Sequence, residues 1–220
     1  MSFRAGILML DTRFPRIPGD AGNPATWPFP VAFETVAGVG LAGAAREPQR
    51  FVEAARRLEG RGVNLITTGC EELILLQDPL QAAVGIPVLT SSLLQVPWIS
   101  KFLGANAKIA ILTFERALLT PAHLWAGGIN PSSVVVAGMD GTAFHATISK
   151  NLDVLDVEQA REDHVLAARR MLAEHPEIEA FVLECTNMTP YGSAIREATG
   201  LPVYDITTLI GWSAAAYMHD

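Results

Sequence analysis

The chain has 220 residues, half of them apolar, and a formal net charge of −7, so it can bury a substantial core and is neither disordered nor surface-dominated. It has only three lysines, Lys101, Lys108 and Lys150, and no basic run to line a phosphate backbone, which argues against nucleic acid as a partner. No apolar stretch reaches membrane-spanning length, and the start is apolar only from Ala5 to Leu10 with no small-residue cleavage pattern; a cytoplasmic protein without a signal peptide or membrane partner is expected.

In chain order, short apolar runs alternate with longer amphipathic segments, the pattern of repeated βα units around mostly parallel sheets. Strands are expected at Gly6 to Leu10, Val31 to Val36, Val63 to Thr68 and Pro87 to Thr90, and then at Lys108 to Thr113, Ser133 to Gly138, Ala180 to Glu184 and Pro202 to Asp205. Between the first two lies a segment, Asp11 to Pro30, with five prolines and two glycines. It reads as a long ordered loop, either a binding or lid element or an arm packed by Phe14, Trp27 and Phe29. A helix is expected from Pro48 to Glu59, with Phe51, Ala54, Ala55 and Leu58 on one face and Gly60 and Gly62 closing it. A second runs from Asp156 to His175, its buried stripe being Val157, Ala160, His164, Ala167, Ala168, Met171 and Leu172, with Pro176 as the stop.

The two series of βα units give an α/β fold of two similar lobes, each a mostly parallel sheet flanked by helices, with the link Gly104-Ala105-Asn106-Ala107 between them. Expected boundaries are 1–104 with a returning segment 205–220 for the first lobe and 105–204 for the second.

Cys70 and Cys185 are the only cysteines, and each ends a predicted strand, where open parallel sheets collect their ligands. In a reducing compartment they are expected to be thiols rather than a disulfide, and no CxxC pair or histidine spacing suggests a metal. Two thiols on opposite faces of a substrate can exchange the roles of base and acid at a carbon beside a carboxylate. A thiol of pKa about 8.5 is only ~3% ionised at neutral pH, and bringing it to 7 takes roughly 2 kcal/mol, more than the ~0.3 to 1 kcal/mol of a helix N-terminus. Thr68 and the Gly69 amide beside Cys70, and Thr186 and Asn187 beside Cys185, are the expected donors, with Glu71, Glu72 and Glu184 opposing ionisation. The alternative is that both cysteines are plain core residues.

Thr68-Gly69-Cys70-Glu71, Glu184-Cys185-Thr186-Asn187 and Asp11-Thr12 after the first strand resemble the motifs of the aspartate/glutamate racemase superfamily, which includes hydantoin racemases, maleate isomerases and arylmalonate decarboxylases. Asp11-Thr12 is similar to the Asp-Ser pair of glutamate racemases that meets the substrate's amino group. Cys185-Thr186 is similar to their second cysteine motif with Asn187 in place of its histidine, and Cys70 matches the first motif only through its cysteine and position. The resemblance implies catalytic Cys70 and Cys185, an active site in the interlobe cleft, a last helix returning to the first lobe, no cofactor and no metal, with a homo-oligomer left open.

Thr113, at a strand end, is expected to bind a substrate carboxylate or to cap a helix. Arg13 and Arg16 are expected either to pair with a carboxylate or to face solvent. Gly38-Val39-Gly40-Leu41-Ala42-Gly43 fits GxGxxG, but Pro48 and the lack of an acidic residue at the next strand end favour a plain glycine turn over a dinucleotide site. The expected function is a racemase or epimerase of a small, amino-acid-like carboxylate, with Asp11, Thr12, Thr68, Thr113, Thr186 and Asn187 binding substrate. The alternatives are an isomerase or decarboxylase of a dicarboxylate using one cysteine, and a non-catalytic small-molecule binding protein.

Overall fold

The computed structural model describes residues 3–218 except Ala42 and Ala105, and Glu71 only in its backbone. The chain ends assigned to the first lobe, one residue each of the 104–107 link and the glycine motif, and the Glu71 side chain therefore lie outside the described residues.

All eight predicted strands form. In the first lobe they are β1 (Ala5–Leu10), β2 (Val31–Val36), β3 (Leu65–Thr68) and β4 (Val88–Leu89); in the second, β5 (Lys108–Thr113), β6 (Val134–Gly138), β7 (Ile178–Leu183) and β8 (Val203–Tyr204). They build two four-stranded parallel sheets of identical order, β2-β1-β3-β4 and β6-β5-β7-β8. In each sheet the chain leaves the opening strand for one side and returns on the other, so the crevice at the switch point opens at the carboxyl ends of β1 and β3, and of β5 and β7. Cys70 and Cys185 follow β3 and β7, topologically equivalent strands.

The helices are α1 (Pro48–Gly60), α2 (Gln77–Ala83), α3 (Val96–Ile99), α4 (Pro121–Ala126), α5 (Ala143–Ser149), α6 (Val157–Glu174), α7 (Gly192–Thr199) and α8 (Ile206–Ala215). Strand alternation divides β1 between two cores. Leu8 and Leu10 face α1 with Phe51, Ala54, Ala55 and Leu58, all fully buried. Ala5, Ile7 and Met9 face Trp27 and Phe29 of the long loop and Ile206, Leu209 and Ile210 of α8. At Gly6 a Cβ would stand 3.0 Å from a Leu58 methyl, so glycine lets α1 sit close to the strand. Truncating a side chain such as Phe51 or Leu58 in this layer would cost about 2 to 5 kcal/mol.

The second sheet is covered on one face by α5, α6 and α7 and on the other by Leu93, Val96 and Ile99 of the segment that ends the first lobe. Covering helices are thus exchanged: α3 packs on the second sheet and α8 on the first. They meet at Gln95, whose amide nitrogen donates to the Asp205 carbonyl at 2.8 Å and whose amide oxygen accepts from the Thr208 hydroxyl at 2.9 Å. Asp205 caps α8, accepting from the Thr207 and Thr208 amides, while burial pushes its pKa up.

Two elements depart from the periodicity. Val157, expected in the stripe of α6, is 38% exposed because it opens the helix, one residue after the Asp156 cap; Ala160, His164, Ala168 and Met171 form the buried line. The chain after Cys70 is a 3-10 turn over Glu71–Leu76 before α2, a tighter winding that apolar spacing does not reveal. Among the described residues no helix is long and apolar enough to cross a membrane.

Candidate active site

The two cysteine-bearing turns touch each other. After β3, the Gly69 amide donates to the Leu8 carbonyl at 2.8 Å, and a Cβ on Gly69 would stand 2.6 Å from the Met9 sulfur, so glycine lets the turn fold over the end of β1. After β7, the Glu184 amide continues the ladder to the Leu112 carbonyl at 2.9 Å. The Thr186 hydroxyl then crosses between the lobes to donate to the Gly69 carbonyl at 3.0 Å. The residue before one cysteine is hydrogen-bonded to the residue after the other, and both thiols are buried, Cys70 at 3% and Cys185 at 1% exposure.

The expected donors are committed elsewhere. The Thr68 hydroxyl lies against the carbonyls of Thr90 at 2.6 Å and Cys70 at 2.8 Å, and the Gly69 amide serves the β1 ladder. Thr186 bonds across the lobes as described. Asn187 turns its oxygen, not its nitrogen, toward Cys185: the thiol donates to Asn187 Oδ1 at 3.5 Å, while Asn187 Nδ2 donates to the Asp20 carboxylate at 2.6 Å. The physical reason is satisfaction of buried groups, since in a water-poor crevice each hydroxyl and amide takes the strongest nearby acceptor.

Beside Cys70 lies a cavity of about 270 Å³, closed on the first-lobe side by Leu41, Gly43 and Glu72 and on the second by Thr113, Phe114, Glu115, Leu118, Leu119, His123, Ser149 and Glu184. Glu184 is 2% exposed and accepts from the Thr113 hydroxyl at 2.8 Å, so Thr113 holds a protein carboxylate. Glu72 accepts from the Ala44 amide at 2.9 Å and pins the glycine turn to the rim. His123 Nδ1 accepts from the Thr120 amide at 3.3 Å, which assigns its proton to Nε2, and burial lowers its pKa, so the ring is neutral at physiological pH. Among the described residues lining the cavity there is no lysine or arginine; its formal charges are the three glutamates.

The remaining expected residues lie apart from this lining. Asp11 is exposed, accepting from the Gly38 amide at 2.8 Å. Thr12 accepts from Arg16 Nη2 at 3.3 Å, and Arg16 pairs with Asp20 at 3.1 Å with its guanidinium over the Phe14 ring. Arg13 and Phe14 donate backbone N–H groups to Asn151 Oδ1, at 2.7 and 3.3 Å. His164 is fully buried in α6 and stacks on Tyr191 at 4.3 Å, and burial lowers its pKa to about 4. At the cavity's edge Glu115, Asp140 and His145 bring ligand atoms within 4.8 Å of one another, with His145 on Glu115 at 3.3 Å and Asp140 accepting from the Arg116 amide at 2.9 Å.

Phe114, Glu115, Leu118, Leu119 and His123 of the cavity were not marked by the sequence. Their one signal is that they follow β5, the strand equivalent to β1, in the stretch where a ligand-binding loop belongs.

No protein-family model matches the chain. A dimethylsulfoniopropionate lyase of Durusdinium sp. clade D is 32% identical over 213 residues, spanning 91% of this chain and 70% of that protein. The chain belongs to the dimethylsulfoniopropionate lyase family. Dimethylsulfoniopropionate lyase 7 of Emiliania huxleyi (strain CCMP1516), 30% identical over 231 residues, covers 98% of this chain and 67% of its own length. This family member shares its fold with allantoin racemase from Klebsiella pneumoniae, at TM-score 0.66 and 17% identity over 99% of this chain and 89% of that one. It shares it also with unliganded arylmalonate decarboxylase, at 0.64 and 15% over 98% and 92%, and with an aspartate racemase homologue from Pyrococcus horikoshii OT3, at 0.58 and 16% over 96% and 99%. The two-lobe racemase-like fold is therefore common to the lyase family and to the superfamily that the sequence resembles, although lyases of this kind are not among the activities that resemblance names.

Proposed function

We propose that this chain is a lyase that cleaves dimethylsulfoniopropionate to dimethyl sulfide and acrylate. The observation that carries the reading is the cavity beside Cys70, whose lining has three glutamates, an aromatic face and no arginine or lysine among the described residues. A dicarboxylate or malonate dianion would meet like charge at both ends, whereas the sulfonium end of this zwitterion meets carboxylates and the Phe114 ring. Kinship with the Durusdinium and Emiliania lyases supports the same substrate.

The chemistry follows from the substrate's structure. Its sulfonium sits β to the carboxylate, so removing a proton from the α-carbon lets the developing pair form the C=C bond as the C–S bond breaks. Cys70 as thiolate takes the proton and becomes the thiol; dimethyl sulfide leaves neutral and needs no proton; acrylate keeps the carboxylate charge. The glutamates that oppose thiolate formation in the empty pocket then have a purpose. A sulfonium about 4 Å from the sulfur contributes about 4 kcal/mol at an effective dielectric of about 20, which exceeds the roughly 2 kcal/mol needed to make the thiolate available at neutral pH. The carboxylate on the same α-carbon opposes this pull, so the substrate helps to ionise its base where the sulfonium lies nearer the sulfur than the carboxylate does.

Racemisation through the same thiols, with Asp11, Thr12, Thr68, Thr113, Thr186 and Asn187 holding substrate, is the competing reading, and one assay separates them. The purified protein is given dimethylsulfoniopropionate, with headspace dimethyl sulfide and dissolved acrylate measured, and in parallel enantiopure amino acids and arylmalonates in heavy water. Equimolar dimethyl sulfide and acrylate are expected. No cleavage together with deuterium entry at an amino acid's α-carbon would replace the lyase with a racemase.

A further inference from the structure

We infer that Asp20 and Asn187 are positioning residues that hold Cys185 as a protonated thiol, dividing labour between the cysteines: Cys70 takes the proton, and Cys185, its S–H given to Asn187, is no second base. The inference rests on the lyase reading only for the direction in which the substrate proton moves.

The argument starts from what surrounds Asp20. It lies in the long proline-rich loop yet is 2% exposed. Among the described residues its carboxylate accepts from three N–H groups: Arg16 Nη1 at 3.1 Å and the Gly22 amide at 2.7 Å on Oδ1, and Asn187 Nδ2 at 2.6 Å on Oδ2. A carboxylate held this way can only accept, so the amide group opposite it must present its NH₂. The Asn187 oxygen is then forced to the other side, where Cys185 Sγ donates to it at 3.5 Å. A carbonyl oxygen facing a sulfur favours S–H over thiolate, the opposite of what a base requires.

The loop is built to keep Asp20 in place. The Thr26 hydroxyl donates to the Asp20 carbonyl at 2.6 Å, Asn23 Nδ2 to the Arg16 carbonyl at 2.7 Å, and Trp27 Nε1 to the Ala21 carbonyl at 3.0 Å. Gly19, at φ 100°, has no room for a Cβ, which would stand 2.9 Å from the Pro190 backbone of the other lobe. These contacts give the twenty-residue loop a task beyond covering apolar surface. In the elimination the leaving group takes no proton, so the reaction needs no second acid or base, and a Cys185 whose S–H is committed to Asn187 leaves Cys70 as the one base.

The test is site-resolved thiol modification. In Asp20→Asn the new amide can donate to Asn187, whose side chain is then free to turn its NH₂ toward Cys185. With a small alkylating reagent at neutral pH, quantified peptide by peptide, the Cys185-to-Cys70 modification ratio is expected to rise about tenfold. Because both thiols are comparably buried, loosening of the fold would raise both together; an unchanged ratio or a parallel rise overturns the inference. Should Asp20→Asn not fold, the S–H stretching band of Cys70→Ser, whose single thiol is Cys185, gives the answer. A band at the lower frequency of a hydrogen-bonded thiol is expected, and its absence or a non-bonded position overturns the inference. Neither readout uses dimethylsulfoniopropionate, so a protein that shows the ratio change but cleaves no sulfonium would remove the lyase reading and leave the positioning roles standing.

Discussion

Cys70 and Cys185 occupy the same place in two sheets of the same order, yet their surroundings are opposite in character. One thiol borders a cavity lined by glutamates; the other donates into an amide whose orientation is dictated by a buried aspartate. Sheet topology therefore sets where a thiol stands, and the loops around it decide its protonation. A pair that matches in the fold need not match in chemistry, and an elimination, unlike a racemisation, has no need of two equal bases.

That asymmetry can be broken most sharply at Cys70. Cys70→Ser is expected to lower kcat for dimethylsulfoniopropionate cleavage by about 10³-fold, within the range for loss of a general base; retention of most activity would reverse the assignment. Cys185→Ser, which keeps a hydrogen-bond donor for Asn187, is expected to lose about threefold and Cys185→Ala about tenfold, since this thiol holds the crevice and takes no proton from substrate. Equal losses would show that the sulfur itself reacts. At the cavity, Glu184→Gln is expected to raise KM about tenfold with kcat nearly unchanged, the signature of lost substrate binding; a pure kcat effect would detach the carboxylate from sulfonium recognition.

The smallest effect belongs to α6, in the helix layer over the second sheet. His164 Nδ1 donates to the Ala160 carbonyl at 2.6 Å, while among the described residues Nε2 is buried without a hydrogen-bond partner. Its pKa falls from 6.5 to about 4 on folding, so as pH drops below 6.5 the unfolded chain takes up a proton that the folded chain refuses, and stability is lost until about pH 4. Between pH 6.5 and 5.5 the loss is about 1 kcal/mol. Urea denaturation of His164→Phe should lack this component, and an identical pH slope in the variant would place the proton elsewhere.

The lobes were legible because buried parallel strands are apolar throughout and their helices carry clear stripes, as Phe51, Ala54, Ala55 and Leu58 illustrate. The cysteines were legible by rarity and by their positions at strand ends. Asp20 was not, since its loop has no period and its partner is 167 residues away. Glu72 and Glu184 were visible but read only as obstacles to thiolate formation. Their role depends on facing a common cavity with Phe114, a fact of three dimensions. The donor assignments of Thr68 and Asn187 differed because sequence proximity to a sulfur says nothing about which acceptor a hydroxyl or amide finds first.

The exchange of α3 and α8 has a further consequence for how the molecule can be taken apart. Each half carries a piece of the other's interior, and Phe14 of the long loop adds another, buried in the second lobe's core. A chain divided at the 104–107 link would yield one half whose covering helix has no sheet beneath it and whose own sheet has lost part of the cover on one face, and a second half in the same condition. Expressed alone, each piece should aggregate; produced together, they should assemble into a complementing pair, with covalent continuity between the halves dispensable and simultaneous presence essential.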